Sequence, residues 1–285
     1  MIQLKHVTYT YPITSAPALR DITLEIPEGQ FCAIVGPNEA GKSTLGYTIA
    51  GFVPNFYHGT LVGEVRVAGL DTQDTALSEL VTRVGLIFQN PFNQISGTKF
   101  TVREEIAFGL ENLGVPREEM LERVERVMEL LGIQGIAYRS PLALSGGQMQ
   151  RVAIASVLAM EPEILVLDEP TSQLDPIGSR EVFAAIRALS ARGDRTVVMI
   201  EHKLEWVASF ADRVVALSAG EIVADGKPRQ VLTDKNLMDF GIGQTRYTLA
   251  ARRARSLGFW PEGLELPVTI EQAVIGFRQA RTGER

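Results

Sequence analysis

Residues Gly36, Pro37, Asn38, Glu39, Ala40, Gly41, Lys42 and Ser43 follow the spacing G-x-x-x-x-G-K-[ST]. The segment lies between an apolar run and a helix expected to start near Gly41, which is the context such a loop requires. Backbone N–H groups and the positive end of that helix then converge on phosphate oxygens. Lys42 adds a point charge for the β- and γ-phosphates of a nucleotide. The Ser43 hydroxyl is placed as a Mg²⁺ ligand, and Thr44 can reach an α-phosphate oxygen. Glu39 is a like-charge neighbour of a triphosphate, so its side chain is expected to point to solvent.

A second group of chemistry-bearing residues closes the run Ile164-Leu165-Val166-Leu167-Asp168-Glu169. Two carboxylates at the end of a buried strand are costly unless a cation or a reaction uses them. Asp168 is placed to hold the hydration shell of Mg²⁺. Glu169, one residue further, can orient and polarise an attacking water.

A third group is Leu144-Ser145-Gly146-Gly147-Gln148-Met149-Gln150-Arg151, just ahead of a helical segment. Ser145 and the two glycines place hydroxyl and N–H donors at a helix N-terminus, a second anion site in one chain. One chain has one phosphate loop, so the second site suggests that its phosphate belongs to another subunit.

The elements that must carry these groups are partly visible in the periodicity. Residues 2–9, 21–26 and 61–67 read as short strands with alternating or β-branched apolar residues, bounded by Pro and Gly. Residues 30–35 form a nearly continuous apolar run, as for a strand buried on both faces. From about 90 to 144 the pattern turns helical, with helices over 102–113 and 118–131. Arg103, Glu104, Glu122 and Arg126 fall on the opposite, solvated face. Strands and helices then alternate: a helix near 146–160, a strand at 164–167, a helix over 176–191, a strand at 196–200, and a hairpin-like pair at 214–217 and 221–224. That order predicts a mostly parallel sheet. The stretch 234–243 is polar, and short helices are expected near 247–257 and 270–280. Arg252, Arg253 and Arg255 read as surface charges.

Composition limits the function classes. The 285 residues carry 28 Lys+Arg against 34 Asp+Glu, a formal charge of −6, which is poor for wrapping nucleic acid. With 45% hydrophobic residues a large core is available, but no run of about 18 uncharged apolar residues could span a bilayer. The N-terminal residues lack the layout of a signal peptide, and a single cysteine, Cys32, excludes an internal disulfide framework. These features predict a soluble cytosolic protein with Cys32 buried.

The octapeptide Leu144–Arg151 resembles the ABC signature, and other motifs of that family stand in the family's order. The set covers about residues 1–232. Tyr11 resembles the aromatic that stacks on adenine, and Gln89 the Q-loop glutamine, a contact to Mg²⁺ and water that senses the membrane partner. Ser172-Gln173-Leu174-Asp175 resembles the D-loop, and His202 the histidine that contacts the γ-phosphate. Glu39 departs from the pattern, where many relatives have Gly. The lone His6 and His58 match no motif and read as polar surface or capping residues. The resemblance implies an α/β P-loop NTPase fold of the ABC nucleotide-binding type: a mixed-sheet core, an inserted helical subdomain, an N-terminal antiparallel β part and a small C-terminal helical appendage. The boundaries are expected at 1–233 for the ATPase domain, with the helical subdomain at about 90–144, and 234–285 for the appendage.

The resemblance also implies ATP hydrolysis with Mg²⁺, catalysed by Lys42, Gln89, Glu169 and His202, with Ser43, Gln89 and Asp168 toward the metal. Two subunits, alike or different, would pack head to tail. Each ATP would lie between Lys42, Ser43 and Gln89 of one and Ser145 and Gly147 of the other. Residues 51–59, 87–95 and 102–116 resemble the energy-coupling-factor (ECF) ATPases, which drive uptake of vitamins or of cobalt and nickel ions. Those sit at the cytoplasmic face of the membrane under a transmembrane coupling protein and a small substrate-binding membrane protein. Phe92 and Asn93 would line the groove that receives the coupling helices. A conventional ABC importer ATPase is the nearest rival, typically with a β-rich tail. The soluble ABC ATPases of DNA repair carry a long coiled-coil insertion, and the translation type two nucleotide domains; neither is seen here.

Overall fold

The computed structural model describes residues 1–190 and 195–282. Residue 191, at the end of one expected helix, and 283–285 of the tail lie outside them. In chain order the elements are β1 (Ile2–Thr10), β2 (Leu19–Ile26), β3 (Phe31–Val35), α1 (Lys42–Ile49), the turn α2 (Phe52–Asn55), β4 (Thr60–Val67) and β5 (Leu70–Asp71). Next come α3 (Leu77–Arg83), β6 (Val84–Ile87), α4 (Val102–Asn112), α5 (Arg117–Leu130), α6 (Gly146–Ala159), β7 (Ile164–Asp168) and α7 (Pro176–Ser190). The chain continues through β8 (Thr196–Ile200), α8 (Leu204–Phe210), β9 (Arg213–Ser218), β10 (Glu221–Gly226), α9 (Pro228–Leu232), α10 (Arg246–Ser256) and α11 (Ile270–Thr282).

A six-stranded sheet in the order β10-β9-β3-β8-β7-β6 forms the centre, parallel except for the β9–β10 hairpin. All five residues of β3, β7 and β8 are buried, as their continuous apolar sequences require. Because side chains alternate across a strand, Phe31, Ala33 and Val35 join a core shared with α4, α6 and α7. Cys32 and Ile34 join a second core shared with α1 and the N-terminal strands. Burial pushes the Cys32 thiol up to about 12, so it packs as a small apolar group.

The first strands form a separate antiparallel sheet in the order β2-β1-β4-β5. Within β1, Ile2 and Leu4 are buried, then Val7 and Tyr9, a one-residue change of phase. A bulge between Leu4 and Val7, with His6 at φ 51°, absorbs the extra residue and keeps both apolar pairs inward. His6 itself pairs with Asp21 on the surface.

The helical part comprises α4, α5 and the start of α6. Thr101 caps α4 and Ser145 caps α6, each in a reciprocal capping box with Glu104 and Gln148. Glu104 therefore caps rather than simply facing water, and Arg126 reaches Glu161. Six elements were not read from the sequence, α2, β5, α3, β6, α8 and α9: all are seven residues or fewer, too short for a clear period.

In the tail, α10 and α11 hold Trp260, which is 2% exposed and packs edge-on against Phe277 with ring centres 4.9 Å apart. The sequence reading of Arg252 and Arg255 as surface charges is corrected. Arg252 donates to Gln244 Oε1 at 2.9 Å and to the Thr233 carbonyl, and Arg255 donates to the Leu264 carbonyl. Backbone carbonyls left without a ladder partner, at the end of α9 for Thr233 and in the turn before α11 for Leu264, draw these guanidinium groups inward. Among the described residues no helix is long and apolar enough to cross a membrane.

Candidate nucleotide site

Every group singled out on the sheet stands at the carboxyl end of a parallel strand, where open α/β sheets bind ligands. The phosphate loop follows β3, Gln89 follows β6, Asp168 and Glu169 end β7, and His202 follows β8. The turn into α1 requires Gly41: its φ is 96°, and a Cβ there would lie 2.5 Å from the Ala18 carbonyl oxygen. Lys42 Nζ donates to the carbonyls of Gly36 at 3.0 Å and Pro37 at 2.7 Å, which holds the ammonium inside the loop. Burial lowers its pKa, opposed by the nearby charges of Glu169 and Asp168. Asn38 and Glu39 are exposed, Ala40 is buried, and Glu39 has φ 64°. The expected outward Glu39 is observed, on a backbone conformation that favours glycine.

Three residues far apart in the chain meet at Glu169. Its Oε2 accepts from Gln89 Nε2 at 2.9 Å, and its Oε1 lies 2.9 Å from His202 Nε2. The Glu169 backbone, at φ 47°, donates to the Ile200 carbonyl at 3.0 Å, fixing the carboxylate between β6 and β8. Ser172 ties the D-loop segment to the same place by donating to the Gln89 carbonyl at 3.1 Å.

Asp168 is 1% exposed, and its Oδ1 is buried without a hydrogen-bond partner. Burial raises its pKa; the Ser43 hydroxyl lowers it, the Glu169 charge raises it, and Tyr47 and Lys42 lower it. An orphaned buried carboxylate oxygen beside a serine hydroxyl fits a hard divalent cation that keeps several waters and phosphate oxygens as further ligands. The residues present therefore suit Mg²⁺, with Asp168 and Ser43 to hold it and charge neutralisation of phosphate oxygens as the chemistry it supplies.

Tyr11 Oη lies 3.1 Å from Thr44 Oγ1, so the aromatic expected at the base stands over the start of α1. Tyr9 and Tyr57 meet Tyr11 edge-on, with ring centres at 4.8 and 6.3 Å. Tyr47 stacks on Tyr57 at 5.1 Å and brings its hydroxyl to the Asp168 carboxylate. The sequence reading missed Tyr47, which sits four positions after Ser43 on the same helix, a spacing that signals a shared face.

Glu201 was also missed. It is buried, accepts from the backbone N–H groups of His202 and Lys203 at 2.8 and 3.0 Å, and accepts from Thr171 Oγ1 at 3.1 Å. It thereby fixes the turn that presents His202. An acid at a buried strand end beside a histidine was the available signal.

Ser145 and Gly147 stand apart from this cluster. Ser145 Oγ accepts from the Gln148 N–H, and a Cβ on Gly147 would lie 3.2 Å from the Gln173 carbonyl oxygen, so the helix tip rests on the D-loop. Among the described residues no hydrogen bond or ion pair joins Ser145 or Gly147 to 36–44. Phe92 is 63% exposed on a helical turn capped by Asn90 and is not part of the helical core.

The profile of the ABC transporter family matches residues 19–172. An ABC transporter ATP-binding protein of Pyrococcus abyssi is 43% identical over 239 residues, covering 84% of this chain and 85% of its own length. The energy-coupling factor transporter ATP-binding protein EcfA1 of Mycoplasma mobile is 42% identical over 239 residues, covering 84% of each. Among solved structures, cbiO1 from Clostridium perfringens, part of the ABC transporter complex cbiONQ, aligns with TM-score 0.73 and 29% identity over 90% of this chain and 97% of that one. Some relatives are much longer: the chain spans 43% and 35% of two from Methanosarcina acetivorans.

A phosphate loop, a strand-end acid pair and a helix-borne serine-glycine tip on this mixed sheet define an ABC nucleotide-binding fold. The chain belongs to the ABC transporter ATP-binding family, whose members are ATP-hydrolysing transport ATPases.

Proposed function

We propose that this chain is the ATPase subunit of an ECF-type uptake transporter for a vitamin or a transition-metal ion. The observation that carries the reading is the division of the site. Gln89, Glu169 and His202 converge beside Lys42, while Ser145 stands exposed at the tip of α6 with half-buried Gly147 beside it. Both halves gain a purpose when two subunits, alike or different, stack head to tail around two Mg²⁺-ATP. The likeness to EcfA1 and to cbiO1 supports the ECF assignment. A tail of helices α10 and α11 supports it over a conventional importer with a β-rich tail.

In this reading Tyr11 stacks on adenine and Gly36–Gly41 wrap the phosphates. Lys42 offsets charge on the β- and γ-phosphates, Thr44 meets the α-phosphate, and Ser43, Asp168 and Gln89 serve the cation side. Glu169 orients the attacking water and accepts its proton. Gln89 and His202 hold the Glu169 carboxylate in place, and His202 also meets the γ-phosphate. The partner's Ser145 and Gly147 supply donors from a helix N-terminus. Closure on ATP and opening after hydrolysis form a two-state element biased by the γ-phosphate.

We place the chain at the cytoplasmic face of the membrane, as a peripheral subunit beneath a transmembrane coupling protein and a small substrate-binding membrane protein. Exposed Phe92 and Asn93 would line the groove for the coupling helices. Affinity purification from membranes tests this. Recovery of a coupling protein with small integral membrane proteins is expected. Recovery of nucleic acid or ribosomes without any integral membrane chain would overturn it.

A further inference from the structure

Glu105 breaks the rule for a charged residue in the first turn of a helix. Such residues usually face water, yet Glu105 is 3% exposed. Its side chain turns into the segment that follows Gln89. Glu105 Oε1 accepts from the Ser96 N–H at 2.6 Å and Oε2 accepts from Ser96 Oγ at 2.9 Å. Ser96 Oγ in turn lies 3.0 Å from Thr98 Oγ1 and accepts from the Thr98 N–H at 3.2 Å. A buried carboxylate is tolerated only when hydrogen-bonded, and here both donors belong to Ser96, with the positive end of α4 alongside.

The two ends of this loop are held as well. Gln94 Oε1 accepts from the Phe88 N–H at 3.4 Å, and Asn90 caps the turn carrying Phe92. At the far end Glu104 accepts from the N–H groups of Phe100 and Thr101. Glu105 is thus the tie between the middle of the loop and the helical part. From α4 the path continues through packing: a Cβ on Gly109 would lie 2.5 Å from Met160 Sδ, so α4 and the end of α6 cross in close contact. The other end of α6 is the Ser145 tip.

We propose that Glu105 is a positioning residue that locks the Gln89 loop to α4 and α6 through Ser96. Gln89 at one nucleotide and Ser145 at the facing nucleotide then move as one body. The proposal rests on the two-subunit reading above. Its physical content is a contiguous chain of hydrogen bonds and packed helices between two sites, which double mutants and binding data can test.

The test uses the full chain in a Glu169→Gln background, reading two quantities: ATP affinity of the monomer under dilution, and the ATP concentration for half-maximal dimer by light scattering. Glu105→Ala is expected to leave monomer affinity within twofold and to raise the half-dimer concentration at least tenfold. Glu105→Gln, which keeps one acceptor, is expected in between, and Ser96→Ala to shift about threefold in the same direction. An unchanged half-dimer concentration in folded Glu105→Ala overturns the proposal, as does an equal shift in monomer affinity. If Glu105→Ala lacks a cooperative melt, Ser96→Ala and Glu105→Gln decide by the same readouts. A Glu169→Gln parent that never dimerises with ATP removes the two-subunit reading and this proposal with it.

Discussion

Oε1 of Glu169 lies 2.9 Å from Nε2 of His202, joining the ends of two neighbouring parallel strands across the site. A carboxylate held there by an imidazole on one oxygen and the Gln89 amide on the other has a fixed orientation, as a general base requires. Glu169→Gln keeps the shape and removes the basicity. Hydrolysis is expected to fall by about 10²–10⁴-fold with ATP affinity nearly unchanged. Phosphate release and equilibrium nucleotide binding check it; turnover within threefold of the parent removes that role from Glu169.

Glu39 holds a left-handed backbone at φ 64° with its side chain in solvent. Glycine adopts that conformation without the steric cost of a Cβ, about 1 kcal/mol. The larger backbone entropy that glycine loses on folding offsets part of this, so Glu39→Gly is expected to raise the melting temperature by no more than about 2 °C. ATP affinity is expected to change by less than about tenfold, roughly 1.4 kcal/mol. A larger change in affinity would show that the carboxylate meets the phosphates.

The buried carboxyl of Asp168 has a raised pKa, so its neutral form is favoured in the fold by comparison with water. Without a cation, the cost of the buried charge is present above that raised pKa and is relieved as pH falls through it. Binding of Mg²⁺ requires the charged form and so competes with the proton. Mg²⁺-dependent ATP affinity is expected to weaken as pH falls from neutral through the raised Asp168 pKa, and the metal-free protein to lose less. Titration calorimetry from neutral pH downward measures both. The same pH dependence in Asp168→Asn would assign the effect to another group.

In the tail, Gly276 faces Trp260 so closely that a Cβ would lie 2.1 Å from Cη2 of the indole. Gly276→Val must displace the ring. We expect a red shift of Trp260 emission in a Trp206→Phe background, with ATP affinity within about threefold, if 234–285 is an appendage separate from the ATPase domain. Loss of nucleotide binding would instead make the tail part of that domain.

The sequence carried far about the fold where the pattern was long or the chemistry local. The continuous apolar runs of β3, β7 and β8, the capped helix after Ser145 and the loop 36–43 were all legible, because each rests on residues adjacent in the chain. What escaped was either short or tertiary. Val84–Ile87 is four apolar residues that fit strand or helix equally. Tyr47 and Glu201 left local signals, a helical spacing from Ser43 and a place beside His202, but the partners that complete their roles, Asp168 and Thr171, lie far along the chain, and nothing near Glu105 marks Ser96 as its partner. Arg252 looked like surface charge because the Thr233 carbonyl that draws it in lies 19 positions away. The bulge at His6 was hidden too, although the phase change between Leu4 and Val7 recorded it.

The most direct measurement is a crystal structure of the Glu169→Gln protein with ATP and Mg²⁺. The account predicts two subunits with each triphosphate enclosed by Lys42 and Ser43 of one chain and by Ser145 and Gly147 of the other, and the cation beside Asp168. Nucleotide bound elsewhere, or bound at Lys42 with no opposing Ser145, would contradict it.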